Sequence, residues 1–228
     1  IADEIVVVDS FSTDRTKEIC LAHGVVFLEN KWEGYSAQKN FAQQKTTNDM
    51  ILSLDADEAL SKELAASILN VKAKSDSEDN LYMFRRLTNY CGRWIRHCGW
   101  YPDKKLRMYN RKDCQWEGDV HEQLSYPPTR NIILLEGDCL HYSFYSISEH
   151  YKQADHFTTL AAKEAFEKGQ RSNFFLLIFA PAFKFLQSYF IRMGFLDGHY
   201  GWIICRISAG ATYMKYSKLR KLWKKSGR

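Results

Sequence analysis

Cysteine patterns typical of zinc sites and of small disulfide-bonded proteins are missing from this chain of 228 residues. Its six cysteines contain no CxxC pair and are spread along the sequence as Cys20, Cys91, Cys98, Cys114, Cys139 and Cys205. Since disulfide frameworks normally serve much smaller secreted chains, we expect free thiols in a reducing cytosol. No secretory signal and no initiator Met opens the sequence, and we expect it to begin inside a longer natural protein.

Internal repeats and low-complexity stretches are also missing. Hydrophobic residues make up 45% of the chain and charged residues 26%, a composition typical of a folded protein rather than of a disordered chain or a bundle of membrane spans. The uncharged run at 174–183 has ten residues, whereas a helix needs about 20 to cross the hydrocarbon core of a bilayer. The length favours one domain, or one domain with a substantial appendage.

The positive charge of the chain is concentrated at its C-terminal end. The formal net charge is +5, but the seven basic and no acidic residues from Lys215 onwards leave about −2 for residues 1–214. Together with the apolar and aromatic residues upstream, this pattern predicts helices in a membrane interface, with a polybasic end on anionic headgroups. The alternative is an apolar run that packs on the rest of the protein and a solvated tail. A nucleic-acid partner is not expected, because the charge is terminal and no recognised binding motif is present.

Strand-like and helix-like segments alternate over the first 80 residues. Short β-branched or apolar runs at 5–8, 25–28 and 50–54 are typical of buried strands, and helices are expected between and after them. This alternation predicts an α/β fold with a largely parallel sheet, in which ligands gather at the carboxyl ends of the strands. The later chain turns mostly to strands and loops and then, with a capping-box spacing at Ser146 and Glu149, to helices. We therefore predict one domain at 1–145 and a helical region at 146–228.

An acidic segment directly after an apolar strand carries the sharpest chemical signal. Asp55 and Asp57 stand one residue apart and are followed by Glu58. Two such carboxylates at a strand end can share a divalent cation, since Mg²⁺ and Mn²⁺ favour oxygen ligands from carboxylates, substrate phosphates and water. A bound cation would also relieve the repulsion between clustered acids. The alternative is an acidic loop that caps the following helix.

Two later segments contain further groups suited to a catalytic centre. The segment 116–122 places carboxylates beside aromatic and imidazole groups, as a general base requires, although an ordinary charged surface strand has the same composition. His141 follows a predicted strand and can complete a metal site through its imidazole. The alternative is a structural histidine in apolar surroundings.

Several motifs in order along the chain resemble family 2 glycosyltransferases with the GT-A fold. The segment 9–16 resembles the DxxSTDxT loop of that family, and Asp55-Ala56-Asp57 resembles its DxD motif at the expected distance. EGDVHEQL at 117–124 is similar to the branch related to lipopolysaccharide core glucosyltransferases. Three more segments are similar to that branch: GYSAQKNFA at 34–42, LRMYNRK at 106–112 and FLDGHYGW at 195–202. The resemblance covers nearly the whole chain, which begins after the family's usual opening strand and its TxNE-like end.

The resemblance implies a Rossmann-like GT-A nucleotide-sugar domain with a mixed, mainly parallel central sheet and an amphipathic helical region after it. The residues that it implies for nucleotide-sugar binding are Asp9, Ser12, Asp14, Lys39 and Asp55. Among these, Asp9 would contact the nucleoside, Lys39 the nucleotide or its phosphate, and Asp55 the ribose or the donor sugar.

The catalytic and metal-binding roles follow from the same resemblance. Glu122 falls where the family has its catalytic base, with Asp119 as the weaker candidate. Asp57 would bind the Mg²⁺ or Mn²⁺ ion that bridges the donor diphosphate, and His141 resembles the later histidine that completes the metal site.

The function that the resemblance implies is an inverting, metal-dependent sugar transfer. The expected donor is a nucleotide sugar such as UDP-glucose, and the expected acceptor is a hydroxyl group of a membrane-linked glycan such as the lipopolysaccharide inner core. Such an enzyme would be cytoplasmic and would bind the anionic inner face of the bacterial cytoplasmic membrane. Three alternatives stay open: a polyprenyl-phosphate glycosyltransferase, a nucleotidyltransferase and a non-catalytic membrane-binding module.

Overall fold

A computed structural model of the protein describes residues 1–74, 80–118 and 122–226. The chain divides into two compact units. The first unit comprises Ile1–Arg85 and Lys104–Cys139, and the second comprises Arg86–Asp103 and Leu140–Arg228. These bounds differ from the predicted 1–145 and 146–228, because the second unit also includes the segment 86–103. The assignment of a catalytic part and a membrane-facing part stays a prediction.

Strands and short helices alternate at the start of the chain, as the sequence predicts. They are β1 (Val6–Asp9), α1 (Thr16–Ala22), β2 (Val26–Glu29), α2 (Tyr35–Gln44), β3 (Met50–Leu52), β4 (Glu58–Leu60) and α3 (Lys62–Ala73). The next part of the chain consists of strands: β5 (Asn80–Tyr90), β6 (Arg93–Ile95), β7 (Asp103–Asn110), β8 (Gln115–Glu117), β9 (Gln123–Ser125) and β10 (Asn131–Phe144). β5 and β10 begin in the first unit and end in the second.

The strands form a parallel pair, an antiparallel pair and a larger sheet. β1 and β2 pair in parallel, and β8 and β9 pair antiparallel. The larger sheet has six strands in the order β3-β7-β5-β10-β4, with β6 paired to β5. β3 runs antiparallel to β7, and β6 runs antiparallel to β5.

The α/β class and the mixed sheet are confirmed, with a larger antiparallel share than the sequence indicates. The reason is local at β5 and β6, which are joined by a turn of two residues, Cys91 and Gly92. Both have positive φ, 52° and 87°, as the tight turn of an antiparallel hairpin requires. Parallel neighbours would need a longer crossover connection.

The core of the first unit forms where α3 packs on the larger sheet. Leu64 and Ile68, one turn apart on α3, pack with the buried strand residues Tyr82, Phe84, Met108, Leu135 and Cys139. Ser61 caps α3, since its Oγ accepts the Leu64 N–H at 3.2 Å and also the Asp138 N–H at 3.2 Å. β10 approaches this helix start closely because it has Gly137 there; a Cβ at that position would lie 2.2 Å from the Leu64 nitrogen.

Long helices make up most of the second unit. They are α4 (Ile147–Glu167), α5 (Phe174–Leu186) and α6 (Gly198–Lys225). A π-helical turn, Gln187–Ile191, continues α5, and a short 3₁₀ helix, Gly194–Asp197, leads into α6. The predicted capping box is confirmed: Ser146 Oγ accepts the Glu149 N–H, and the Glu149 carboxylate accepts the Ser146 N–H, both at 3.2 Å.

The basic C-terminal segment is helical. Its described residues up to Lys225 form the last turns of α6. Leu219 is buried against Ala162 and Ala165 of α4, and Leu222 and Trp223 pack beside it. These apolar residues recur at helical spacing and hold this end of α6 on α4. Lys218 adds a polar contact to the same face, since its Nζ lies 2.6 Å from Asp155 Oδ1.

The apolar helix of the second unit is longer than the ten-residue run indicated. α5 and its π-helical continuation form 18 residues, Phe174–Ile191, with a mean hydropathy of 1.6 and only 6% of the segment buried. By length and composition this helix could cross a membrane.

Candidate active site

The acidic segment forms a tight turn between β3 and β4 in the first unit. The Glu58 N–H donates to the Asp55 carbonyl oxygen at 2.9 Å, and the Asp55 N–H donates to Glu58 Oε2 at 3.1 Å. The Glu58 side chain is fully buried, whereas Asp57 is exposed in the turn. The segment does not cap α3, because Ser61 holds that position. Its acidic residues therefore need another explanation than a helix cap.

Lys39 on α2 brings two of the predicted site residues together. Its Nζ lies 3.0 Å from Asp55 Oδ1 and 3.3 Å from Glu122 Oε1. The same ammonium group lies 4.5 Å from the centre of the Trp116 ring, within the range of a cation–π interaction. Lys39 is 12% exposed, so these contacts are only partly screened by water.

Arg107 on β7 belongs to the same group of charges, and the sequence analysis did not identify it. Its Nη2 lies 2.6 Å from Asp55 Oδ2 and 2.7 Å from Glu58 Oε1. Burial alone would raise the pKa of the Asp55 carboxyl, but Arg107 and Lys39 outweigh that effect and hold the pKa below its usual range. One signal was present in the sequence: an arginine between two apolar residues, Leu106 and Met108, in a segment predicted as a strand.

Five side chains of alternating charge thus follow one another across the first unit. We call this group the charge chain; its members, in order of contact, are Glu58, Arg107, Asp55, Lys39 and Glu122. The charge chain starts at a fully buried carboxylate and ends at a partly exposed one. It links the turn after β3, the strand β7, the helix α2 and the segment before β9.

A polar face of α2 fixes Lys39 in position. Ser36, Asn40 and Gln43 are spaced so that they share one face of the helix, and each bonds to the segment 114–118. The Asn40 side chain donates to the Trp116 carbonyl at 2.8 Å and accepts the Trp116 N–H at 2.9 Å. Ser36 Oγ donates to the Gly118 carbonyl oxygen at 2.5 Å. The polar spacing within GYSAQKNFA was the signal from which these contacts could have been predicted.

The loop after β1 orders its predicted donor-binding residues by local hydrogen bonds. Asp9 accepts from the backbone N–H of Ser12 at 2.7 Å and from its hydroxyl group at 2.6 Å. Asp14 accepts from the N–H and the hydroxyl group of Thr16, at 2.9 and 2.6 Å, and these bonds lower its pKa. Ser12 and Asp14 are exposed, so the loop leaves both at the surface.

The loop is also tied to α2. The Gln38 amide donates to Ser10 Oγ at 3.0 Å and accepts from the Asn30 side chain at 3.0 Å. Gln38 precedes Lys39 directly, so the loop after β1 and the charge chain are attached to the same turn of the helix.

The predicted metal ligands belong to different units of the structure. Asp57 lies in the first unit, and His141 lies on β10 in the second, where its Nδ1 is 3.5 Å from Thr88 Oγ1. In the described ranges, 1–74, 80–118 and 122–226, no three His, Cys, Asp or Glu side chains are grouped closely enough to hold a metal ion. Asp119, the second candidate for the base, lies outside the described residues. The pairing of Asp57 with His141 stays a prediction.

Comparison with known proteins identifies related chains over the whole length. A family model described as "Glycosyl transferase family 2" matches residues 2–126. An uncharacterised glycosyltransferase of Rickettsia typhi is 32% identical over 235 aligned residues, which cover 99% of this chain and 80% of the relative. A lipopolysaccharide core biosynthesis glycosyltransferase, LpsC of Rhizobium meliloti, is 28% identical and covers 94% of this chain and 84% of its own length.

Among solved structures, S. aureus TarS 1–349 in complex with UDP aligns with 98% of this chain and 82% of its own. The sequence identity is 15% and the TM-score is 0.39, which is too low to support a conclusion about this chain.

Proposed function

Because the chain belongs to glycosyl transferase family 2, we propose that it transfers a sugar from a nucleotide-sugar donor to a hydroxyl group of a membrane-linked glycan, with inversion at the anomeric carbon. The proposed donor is a UDP-hexose such as UDP-glucose. The proposed acceptor is a lipid-linked saccharide such as the lipopolysaccharide inner core, and the Rhizobium meliloti relative, named for lipopolysaccharide core biosynthesis, supports that class. Membership of a glycosyltransferase family leaves the nucleotidyltransferase and the non-catalytic module without support.

One observation carries the proposal: Lys39 holds both Asp55 and Glu122, at 3.0 and 3.3 Å. Asp55 belongs to the DxD-like segment that would face the donor, and Glu122 is the proposed base. Phosphate oxygens accept hydrogen bonds from an ammonium group as carboxylates do, so a donor diphosphate can take the place of one carboxylate on Lys39. The donor and the base would then meet at one residue.

The proposed reaction is a single displacement. Glu122 would take the proton of the acceptor hydroxyl group, and the acceptor oxygen would attack the anomeric carbon from the side opposite the nucleotide. The bond from that carbon to the diphosphate oxygen would break, and the nucleoside diphosphate would leave with the electron pair. Lys39 would offset the negative charge that grows on the leaving group. A single attack from the opposite side inverts the anomeric carbon.

A divalent cation, Mg²⁺ or Mn²⁺, fits the exposed carboxylate of Asp57. Mg²⁺ is often bound by one or two carboxylates, with substrate phosphates and water as its other ligands, so a three-residue protein cluster is not required. Asp55 is a poorer ligand, because its two oxygens already accept from Arg107 and Lys39. When bound, the cation would neutralise charge on the diphosphate.

The second unit carries a surface suited to the membrane that would hold such an acceptor. Phe175, Phe179 and Phe183 follow one another at spacings of four along α5, and they are 68%, 61% and 62% exposed. We call these three residues the aromatic stripe. On the same helical segment Ser188 is 2% exposed and Lys184 is only partly exposed. An exposed apolar face on a segment whose polar residues are less exposed is the reverse of a soluble amphipathic helix and suits a lipid surface.

Basic side chains lie beside the start of the aromatic stripe. The Trp223 indole N–H donates to the Gln170 carbonyl oxygen at 2.6 Å, which places the basic end of α6 next to the residues that precede α5. Arg171 lies over the Trp223 ring at 4.9 Å, and Lys224 and Lys225 are exposed. Anionic headgroups attract such a cluster, while acyl chains accept the aromatic stripe. We propose peripheral association with the inner face of the bacterial cytoplasmic membrane.

A transfer assay tests the proposed chemistry. The purified chain is incubated with UDP-hexoses, a lipid-linked oligosaccharide and Mn²⁺, and the product is measured for wild type, Glu122→Gln and Glu117→Gln. Loss of the base is expected to lower transfer about 10²-fold or more, with donor binding retained. Glu117→Gln is the matched control in the same segment and should transfer at the wild-type rate.

Two outcomes would contradict the proposal. Near-normal transfer by Glu122→Gln refutes the assignment of the base, and transfer to a polyprenyl phosphate in its place supports that alternative. Absence of transfer from any nucleotide sugar to any glycan by the wild-type chain refutes the proposed function.

A further inference from the structure

Arg107 lies next to Glu58, the buried end of the charge chain, where burial of a charged side chain lowers the stability of the fold. The Arg107 side chain is 4% exposed, and among the residues that the structure describes its Nε has no hydrogen-bond partner. An unsatisfied buried donor costs about 1–3 kcal/mol. Buried ion pairs, in addition, are often no more stabilising than apolar residues of the same size. Stability of the first unit alone therefore does not explain an arginine at this position.

The contact of Arg107 with Asp55 offers another explanation for an arginine at this position. Asp55 Oδ2 is held by Arg107 at 2.6 Å, and Asp55 Oδ1 is held by Lys39 at 3.0 Å. A carboxylate whose two oxygens both contact a cationic side chain cannot rotate freely. Arg107 is itself anchored by Glu58, whose side chain is fully buried. The orientation of the half-buried Asp55 is thus set from the core of the first unit.

We infer that Arg107 is a positioning residue for the donor: it orients Asp55, and through Asp55 it holds Lys39 next to Glu122. The inference rests on the proposed function, because Asp55 and Lys39 are the residues proposed to face the donor. Arg107 itself touches neither the donor nor the base in this arrangement. Lysine at position 107 would keep the positive charge, but its shorter side chain would not bring a nitrogen to the position of Nη2, which contacts both carboxylates.

A double-mutant cycle on nucleotide binding tests the inference. Isothermal titration calorimetry in the presence of Mn²⁺ first measures the affinity of the wild-type protein for UDP, GDP and dTDP. The diphosphate that binds most tightly is then titrated into Arg107→Lys, Asp55→Asn and the double variant. Arg107→Lys is expected to weaken binding about tenfold, which corresponds to about 1.4 kcal/mol. In the Asp55→Asn background the same change should have no further effect, because a residue that acts through Asp55 has nothing left to orient.

A matched control separates positioning from general destabilisation. Arg86 on β5 also pairs with a carboxylate in a strand, at 2.8 Å from Asp103, but it does not belong to the charge chain. Arg86→Lys should leave nucleotide affinity unchanged. If Arg107→Lys does not fold, Glu58→Gln replaces it in the same cycle, because this change removes the carboxylate that anchors Arg107. Glu58→Gln is expected to weaken diphosphate binding severalfold. In the Asp55→Asn background it should have no effect on that binding.

The possible results distinguish the inference from the function on which it rests. Equal affinities of wild type and Arg107→Lys, or an equal loss with and without Asp55, would overturn the inference while leaving the glycosyltransferase proposal in place. Failure of wild type to bind any of the three diphosphates would overturn both. A loss that disappears in the Asp55→Asn background supports the inference.

Discussion

Two glycines on α6 give a sharp test of the packing in the second unit. Gly201 lies in the first turn of the helix, and a Cβ there would be 1.9 Å from the Gly194 carbonyl oxygen and 3.0 Å from Asp197 Cβ. Gly210 lies on the same helix, and a Cβ there would meet nothing within 4 Å. The same substitution, glycine to alanine, should therefore have opposite effects at the two positions.

The expected magnitudes follow from helix propensity and overpacking. Alanine in a helix interior is about 1 kcal/mol more favourable than glycine, and Gly210→Ala should gain up to about that amount. At Gly201 the same gain is opposed by a clash with backbone. Non-bonded carbon atoms pack at about 3.5–4.0 Å, so the chain at Gly194 would have to move by more than about 1 Å. Overpacking of this kind costs about 1–3 kcal/mol or more, and since the helix-propensity gain is common to both variants, their stabilities should differ by about that amount.

Urea denaturation followed by far-ultraviolet circular dichroism measures this difference. Thermal unfolding gives a second reading, since 1 kcal/mol shifts the midpoint by about 2–4 °C in a protein of this size. Gly201→Ala should unfold earlier than wild type, and Gly210→Ala at the same point or later. If Gly201→Ala stabilises the protein as much as Gly210→Ala does, the close approach of α6 to Gly194 is wrong.

Two further predictions concern the aromatic stripe and a buried histidine. Serine at Phe175, Phe179 and Phe183 together should weaken sedimentation with phosphatidylglycerol vesicles at least about tenfold, because burial of one Phe side chain contributes about 1.5–3 kcal/mol; unchanged binding would contradict the membrane proposal. His150 is buried with its Nδ1 3.0 Å from the Tyr90 hydroxyl group, and burial lowers its pKa from 6.5 to about 4. The unfolded chain therefore binds a proton more readily between these values, so stability should fall as the pH falls through that window. His150→Gln should reduce the slope of the free energy of unfolding against pH by at most about 1.4 kcal/mol per pH unit. If urea titrations at several pH values give an unchanged slope, another group causes the pH dependence.

The predicted elements of the fold are those whose signals are local. The β-branched run at 5–8 predicted β1, and the spacing of Ser146 and Glu149 predicted the start of α4, because each depends on neighbours within four residues. β4 has only three residues and exists because it pairs with β10, which lies far along the sequence. The helical end of α6 likewise depends on its contact with Ala162 and Ala165 of α4. Tertiary contacts of this kind cannot be predicted from a local sequence pattern.

The candidate site shows the same division. Family resemblance predicted Lys39, Asp55 and Glu122 one by one, and the structure places them in contact. The contacts of Arg107 with Asp55 and Glu58 were not predicted, because each joins residues about 50 positions apart in the sequence and forms only in the folded sheet. The roles of the predicted residues in catalysis and donor binding stay predictions.

Resemblance to a family does not separate residues that meet a ligand from residues that hold the others in place, but exposure does. In FLDGHYGW the carboxylate of Asp197 is 4% exposed and accepts the backbone N–H groups of Arg96 and His97 at 3.1 and 2.8 Å. Gly201 of the same segment allows a close backbone approach. Asp197 and Gly201 therefore order the second unit from its interior, where a ligand does not reach them. Within the charge chain, in contrast, Asp55 and Glu122 are 34% and 24% exposed, so a donor or an acceptor can reach them, and a buried partner can act only through them.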